Sequence, residues 1–406
     1  MFSRRTAWDV VQNELTERIE ARRQAGRPII DLTESNPTRC GFEYPAEQIL
    51  SALATTESLT YEPSPKGLVE ARAAVAEYYQ EKRVRLSPDQ IILTASTSEA
   101  YSFLFRLLAN PGEHILVPKP SYPLFDFLAT LNDVELDMYP LVYRNGWRMD
   151  VDGLRAAIRP ETRAIIVVNP NNPTGSFVKR DELTRLVELC QRNELALIAD
   201  EVFADYAFAP DANRVTTLAG TSEVLTFTLS GISKLLGLPQ MKLAWMCVTG
   251  PDEVIRQSLA RLEVIADTYL SVGTPVQRAL PRLMTLRQHL TGQIRARVMT
   301  NWRWLRDQIR SRNEGIIAEQ PQTEVCATLL DAEGGWYAVL QLPSSCRDEQ
   351  FVLDLLDYEG VLIHPGYFFD FEDENHVVIS LLPPPEVFWG VRSVLRAIAS
   401  VTPEAG

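Results

Sequence analysis

The sequence predicts an α/β fold with a mostly parallel central sheet, joined to a smaller α+β domain. Three observations predict it. The chain has 406 residues and is 46% hydrophobic, enough for a large core and long enough to split into two domains. Between about 87 and 250, short apolar runs alternate with longer segments of helical period. That is the pattern of strands buried on both faces and covered by helices. After the helical stretch at 275–313 the style changes to short strands around a single helix.

The elements follow in chain order. Residues 1–45 hold an amphipathic stretch and then a Pro/Gly turn region, Ser35-Asn-Pro-Thr-Arg-Cys-Gly41. Strands are predicted at 91–93, 114–117, 163–168, 195–199, 224–229 and 243–248, and helices at 251–268 and 275–313. Further strands are expected at 334–342, 361–363 and 376–381, with a helix at 348–358. The C-terminal part has no linker of its own, so the N-terminal segment is expected to pack with it. The expected division is a large domain over 46–290 and a small domain formed by 1–45 and 291–406.

Composition excludes several function classes. With 40 Lys+Arg against 53 Asp+Glu, the net charge is −13, which argues against a nucleic-acid partner. No apolar stretch reaches membrane-spanning length. The basic start, Met1-Phe-Ser-Arg-Arg, has no apolar run behind it and does not read as a secretory signal. Cys40, Cys190, Cys247, Cys326 and Cys346 are scattered without a CxxC pair, as expected of a reducing cytoplasm. The histidines show no metal spacing, so no metal site is expected.

The residues that carry chemistry lie at or near the C-terminal ends of the expected strands, where open α/β sheets place ligands. Ser96, Thr97 and Ser98 follow strand 91–93, and Glu99 stands three residues after Ser96. This reads as a capping box on a helix start, which suits a phosphate, although such caps are ordinary. Asn169-Pro-Asn-Asn172-Pro-Thr-Gly175 follows strand 163–168. A turn explains Pro, Asn and Gly, but Asn172 is also placed to aim an amide at a bound group. Asp200 and Glu201 end strand 195–199, where a carboxylate can pair with a buried cation. Lys234 follows strand 224–229 in Ser230-Gly-Ile-Ser-Lys234, where desolvation lowers an amine's pKa and favours Schiff-base chemistry. Lys242 returns to the same region after the Gly237-Leu-Pro239 break. Tyr122 is placed to stack on a planar ring. A phosphate seat, a stacking aromatic, an amide, a carboxylate and an imine-forming lysine together fit pyridoxal 5'-phosphate.

At this point the chain resembles the fold-type I pyridoxal-phosphate aminotransferases of the class I/II family, from about Asp31 to Leu381. The opening Asp31-Leu-Thr-Glu-Ser-Asn-Pro-Thr-Arg-Cys-Gly-Phe42, and Tyr61 with Lys66-Gly67-Leu68, resemble its alanine-aminotransferase-like branch. The resemblance implies that Lys234 holds the cofactor as a Schiff base and moves the substrate proton, and that Asp200 pairs with the ring nitrogen. It implies that Asn172 bonds the ring's 3′ oxygen and Tyr122 stacks on the ring. Ser96, Thr97 and Ser98 would hold the phosphate with Lys242 as counter-charge, and Tyr61 would reach the partner subunit's phosphate in a homodimer. Ser35 and Arg39 fall in the segment that covers the family's substrate.

The departures from that pattern are specific. Lys242 stands where many members have Arg, a point charge in place of a fork. Phe203 stands where a Tyr usually donates to the ring oxygen, which predicts a raised pKa for the lysine imine, with Tyr206 as a substitute donor. Gly231 stands where a serine is frequent, with Ser230 or Ser233 as replacements. Val378 stands in Val378-Ile379-Ser380 where an Arg-x-Ser motif clamps the substrate carboxylate.

The resulting expectation is a cytoplasmic, homodimeric aminotransferase moving an amino group from an amino acid to a 2-oxo acid. The alternative, prompted by Val378, is a lyase, decarboxylase or cyclase on the same scaffold. A ligand-binding regulator is disfavoured by the acidic charge, and a nicotinamide enzyme by the lack of a GxGxxG turn.

Overall fold

In the computed structural model, which describes residues 1–8, 12–319 and 327–400, the apolar runs of the middle of the chain become strands. Cys326 lies outside the described residues. Strand β1 (Ile30–Asp31) belongs to the N-terminal segment. Strands β2 (Ile91–Thr94), β3 (His114–Lys119), β4 (Glu135–Tyr143) and β5 (Trp147–Met149) follow. Then come β6 (Thr162–Val168), β7 (Ala196–Asp200), β8 (Thr226–Gly231) and β9 (Ala244–Thr249). They build an eight-stranded sheet in the order β2-β9-β8-β7-β6-β3-β4-β5. The pairs among β4, β3, β6, β7 and β8 are parallel, and β9 and β5 enter antiparallel.

Alternation explains why both faces are covered. In β3, Ile115 and Val117 face a core shared with Phe103 and Leu104 of the helix Thr97–Leu108. Leu116 between them faces Leu186 and Leu189 of the helix Arg180–Asn193. Successive side chains of a strand point to opposite faces, so a wholly apolar run needs a helix on each side.

The C-terminal strands are β10 (Thr328–Leu330), β11 (Tyr337–Gln341), β12 (Val361–Leu362), β13 (His364–Pro365) and β14 (His376–Ser380). An antiparallel four-stranded sheet has the order β10-β11-β14-β13. The N-terminal segment joins this layer. Ile30 and Asp31 of β1 pair in parallel with Val361 and Leu362 of β12. Ser380 N–H donates to Leu32 O at 2.8 Å, and Ser380 Oγ donates to Glu34 O at 2.6 Å.

The sequence reading missed β1, β4, β5, β10 and β13. β4 reads Glu135-Leu-Asp-Met-Tyr-Pro-Leu-Val-Tyr143 and is mostly half-buried. Its charges and Pro140 reflect a place beside the sheet's edge rather than at its centre. The expected helix over 275–313 is two helices, Thr274–Thr285 and Arg287–Glu319. The helix expected at 348–358 runs Asp348–Asp354 and ends in a π turn, Leu355–Glu359.

A strap links the two sheet layers just before β11. Glu333 N–H donates to Gly175 O at 3.2 Å, Phe208 N–H to Glu333 O at 2.9 Å and Gly335 N–H to Tyr206 O at 3.2 Å. The Glu333 carboxylate accepts the Phe177 N–H at 2.9 Å and Arg214 Nε at 3.0 Å. It also pairs with the buried Lys179 ammonium. Burial opposes ionisation of Glu333, but Lys179, Phe177 N–H and Arg214 hold its carboxyl below the usual range. A Cβ on Gly175 would run into the Gly334 carbonyl oxygen, so the strap's approach requires glycine there.

Candidate active site

The C-terminal ends of β2, β7 and β8 lie on one edge of the large sheet. Ala244, the first residue of β9, sits between Thr94 and Gly231. A cleft of about 230 Å³ opens there, lined by Ser35, Ser96, Thr97, Ser98, Tyr122, Asn172, Asp200, Phe203, Ser233, Lys234 and Tyr337 among others. Residues from widely separated parts of the chain thus meet in one place.

One end of the cleft is a helix start. Ser96 caps the helix Thr97–Leu108 and its Oγ accepts the Glu99 N–H at 3.1 Å. Glu99 does not return to the Ser96 N–H as a capping box would. It accepts the Ala95 N–H at 2.7 Å and the Ser271 hydroxyl at 2.6 Å. The free N–H groups of the first turn and the hydroxyls of Thr97 and Ser98 make this end suited to an anion.

Asp200 lines the same cleft. Its Oδ1 accepts the Val202 N–H at 3.1 Å and its Oδ2 the Tyr101 hydroxyl at 3.0 Å. Burial pushes its pKa up to about 6, against the Val202 and Tyr101 donors and the charge of Lys234. Glu201, next in sequence, points away. It accepts the Thr217 hydroxyl and the Leu218 N–H, each at 2.6 Å.

Lys234 lines the same cleft and senses the Asp200 charge. Its Nζ is 4.9 Å from the Trp336 ring centroid and 5.7 Å from that of Phe203. Burial lowers its pKa to about 8, with the Asp200 charge opposing. From 10.5, that shift is about 3 kcal/mol against the charged form. The amine is poised to act as a nucleophile near neutral pH. Gly231 is required where it stands, because a Cβ would lie 2.8 Å from the Ala244 Cβ.

The asparagines of the turn after β6 divide the work. The Asn169 amide bonds Val215 O and the Val178 N–H. The Asn171 amide bonds Pro120 O, and its Oδ1 accepts from Thr174. Asn172 Oδ1 is buried in the lining without a partner. Two of the amides shape the turn and the third remains for a ligand. Anion donors, a carboxylate, a desolvated amine and an amide not spent on the turn together fit pyridoxal phosphate.

Other candidates lie outside the lining. Lys242 is exposed and has φ +50°. Tyr61 is 70% exposed and lines a separate small cavity with Gly67 and Leu270. Arg39 is exposed, at the end of the short helix Pro37–Arg39. The Tyr206 hydroxyl cannot substitute for the donor absent at Phe203, because it donates to the Lys234 carbonyl at 2.6 Å. Ser233, not Ser230, lines the cleft. Val378 is fully buried, opposite His364 and Val339, so it presents no group to the cleft. Lys234 is the one cation among the described lining residues.

Sequence reasoning missed Tyr101, Trp336 and Tyr337. The signal for the last two was Gly334-Gly335 ahead of two aromatics. Tyr101 was hidden inside an apolar helical face.

Comparison with known proteins places the chain in a family. The family described as aminotransferase class I and II matches residues 27–387. The glutamate-pyruvate aminotransferase AlaA of Haemophilus influenzae is 28% identical over 365 residues, 89% of this chain and 88% of that protein. The alanine aminotransferase of Mycobacterium tuberculosis is 29% identical over 368 residues, 88% and 82% of the two chains. The solved alanine aminotransferase of Pyrococcus furiosus superposes with a TM-score of 0.85 at 24% identity, covering 98% of this chain and all of that one. At that identity the likeness shows the fold.

Proposed function

The chain belongs to the class I and II aminotransferase family, and from that premise we propose that its cleft holds pyridoxal 5'-phosphate on Lys234. The chain is an aminotransferase. The observation that carries the cofactor reading is the buried Lys234 amine in one cleft with a helix start and the Asp200 carboxylate. When bound, pyridoxal phosphate supplies an electron-withdrawing ring that carries the amino group between an amino acid and a 2-oxo acid.

The chain's own groups then have separate tasks. Ser96, Thr97 and Ser98 bind the phosphate, with Lys242 as a counter-charge from outside the lining. Asp200 pairs with the ring nitrogen, Asn172 bonds the 3′ oxygen and Tyr122 covers a ring face. Lys234 Nζ takes and returns the substrate's α-proton. Ser35, in the lining, and Arg39, exposed and without a partner among the described residues, receive the substrate carboxylate in place of the charge that Val378 lacks. The names of the relatives suggest glutamate or alanine as donor and pyruvate as acceptor.

The remaining proposals are architectural. A homodimer brings Tyr61 to the partner's phosphate, consistent with the exposed Leu50, Leu59, Tyr61 and Val69. The unpaired, buried Cys40, Cys190, Cys247 and Cys346 favour a cytoplasmic setting. No helix among the described residues is long and apolar enough to cross a membrane. The β1–β12 pairing supports a small domain of 1–45 and 291–406 beside a large one of 46–290.

The test is borohydride trapping followed by peptide mass analysis, with amino transfer measured from L-alanine and L-glutamate. The expected result is a pyridoxyl mass on the Lys234 peptide, lost in Lys234→Ala, together with transfer to a 2-oxo acid. Label elsewhere, or cofactor binding without transfer from any L-amino acid in a panel, overturns the reading.

A further inference from the structure

Each oxygen of the Asp200 carboxylate has its own donor. The Val202 N–H comes with the turn that follows β7. The Tyr101 hydroxyl comes from a different element, the helix Thr97–Leu108. Tyr101 is 3% exposed. Its ring stands edge-on to Phe125, with centroids 5.3 Å apart at 87°, and Phe105 is 6.0 Å away. Packed in that way, the ring has no room to carry its hydroxyl elsewhere.

We propose that Tyr101 is a positioning residue that orients the Asp200 carboxylate toward the cofactor's ring nitrogen and keeps that carboxylate charged. The proposal rests on the reading that Asp200 pairs with the ring nitrogen. A phenylalanine would complete this aromatic cluster without burying a polar atom. A hydroxyl at this depth is costly unless bonded, and its bond is to Asp200 rather than to the main chain. Other titratable groups facing Asp200 are Lys234, which favours its charge, and Tyr122. Burial, then the Asp200 charge, drives the Tyr101 hydroxyl's own pKa far up, so it remains a donor throughout the working range. Without it, one carboxylate oxygen is left buried and unpaired, and the group takes up a proton at higher pH. A protonated Asp200 no longer attracts a ring cation.

The experiment compares Tyr101→Phe, Tyr139→Phe and Asp200→Asn. Tyr139 is an equally buried tyrosine whose hydroxyl donates to Ile166 O at 2.8 Å, so its variant controls for loss of a buried hydroxyl. The Asp200 titration is read in apoprotein by carbon-13 NMR of labelled aspartate, with the resonance assigned by its loss in Asp200→Asn. Pyridoxal phosphate affinity is read by tyrosine and tryptophan fluorescence quenching across pH. In Tyr101→Phe the midpoint is expected to rise by about one pH unit from about 6, the size of one charge-assisted hydrogen bond, and affinity to fall about fivefold at pH 6 and about twofold at pH 7 as the charged fraction drops. Tyr139→Phe is expected to move neither. Should Tyr101→Phe not fold, 3-fluorotyrosine placed at 101 strengthens the donor and is expected to move the midpoint down. An unmoved midpoint, or an equal shift in Tyr139→Phe, overturns the role of Tyr101. Cofactor affinity unchanged in Asp200→Asn overturns the ring-nitrogen reading, and the proposal with it, even where the apoprotein midpoint has shifted.

Discussion

Replacing Glu333 by Ala removes the anion from a nearly enclosed cluster. The Lys179 side chain is 6% exposed and that of Arg214 12%, against 22% for Glu333. Truncation leaves the Lys179 ammonium with only the Phe177 carbonyl as acceptor and frees the Phe177 N–H. Three charge-assisted bonds, from Lys179, Arg214 and the Phe177 N–H, at about 1.5 kcal/mol each give a loss of about 4.5 kcal/mol. The partial exposure of Glu333 makes that an upper value. Urea unfolding at pH 7 measures it. Because Glu333 titrates below its usual range in the fold, its contribution is present at and above the unfolded pKa. It is lost as pH falls through the lower folded value. The difference between wild type and Glu333→Ala is therefore expected to shrink on acidification below about pH 4. Replacing both Lys179 and Glu333 by Met is expected to recover most of the loss, since no charge is left buried alone. A single-variant loss under about 0.5 kcal/mol at pH 7, or a double variant no better than the single, refutes the reasoning.

Two further outcomes follow from other sites. Gly175→Ala combines a left-handed φ of +71° with a Cβ directed at the Gly334 carbonyl. Urea denaturation is expected to show a loss of about 2–4 kcal/mol, and an unchanged midpoint would refute the packing argument. Glu201, buried with its pKa raised to about 7, binds a proton in the fold where the unfolded chain has released it. Wild-type stability relative to Glu201→Gln is therefore expected to fall by about 3 kcal/mol as pH rises from about 4.5 to 7, and to stay level above. A flat difference across that range would show that Glu201 is not buried as described.

What was legible in the sequence depended on how local its cause is. The strands of the large sheet are buried on both faces, so each shows as an unbroken apolar run. β4 and β5 lie at the sheet's edge, where half-burial mixes Asp137, Met138 and Pro140 into one strand, and no run forms. In the cleft, Asp200 ends β7, and Ser96, Asn172 and Lys234 follow β2, β6 and β8 within four residues, so the set could be read from those places taken together. Tyr337 and Trp336 arrive from the other sheet layer, and nothing near them in sequence says which strand end they will face. The division of labour among Asn169, Asn171 and Asn172 was equally hidden. The residue type is the same, and only the neighbours decide which amide is spent on the turn. Tyr101 shows the same limit, because its helical position marks it as core while its hydroxyl reaches a strand far off in sequence.

The pairing of β1 with β12 also has a consequence for biosynthesis. Ser380 Oγ and Glu34 O are 346 residues apart in sequence, and Leu32 and Val361 are both fully buried. During translation the segment around Leu32 emerges more than 300 residues before its partners. The large sheet can condense while the ribosome is still at work, but Leu32 has no strand to join until β12 and β14 appear. Closing so distant a contact is slow, and an apolar segment left waiting is open to wrong partners and to chaperones. Final assembly of this layer is thus expected to wait for the synthesis of β14, the last event before the cleft acquires Ser35 and Tyr337.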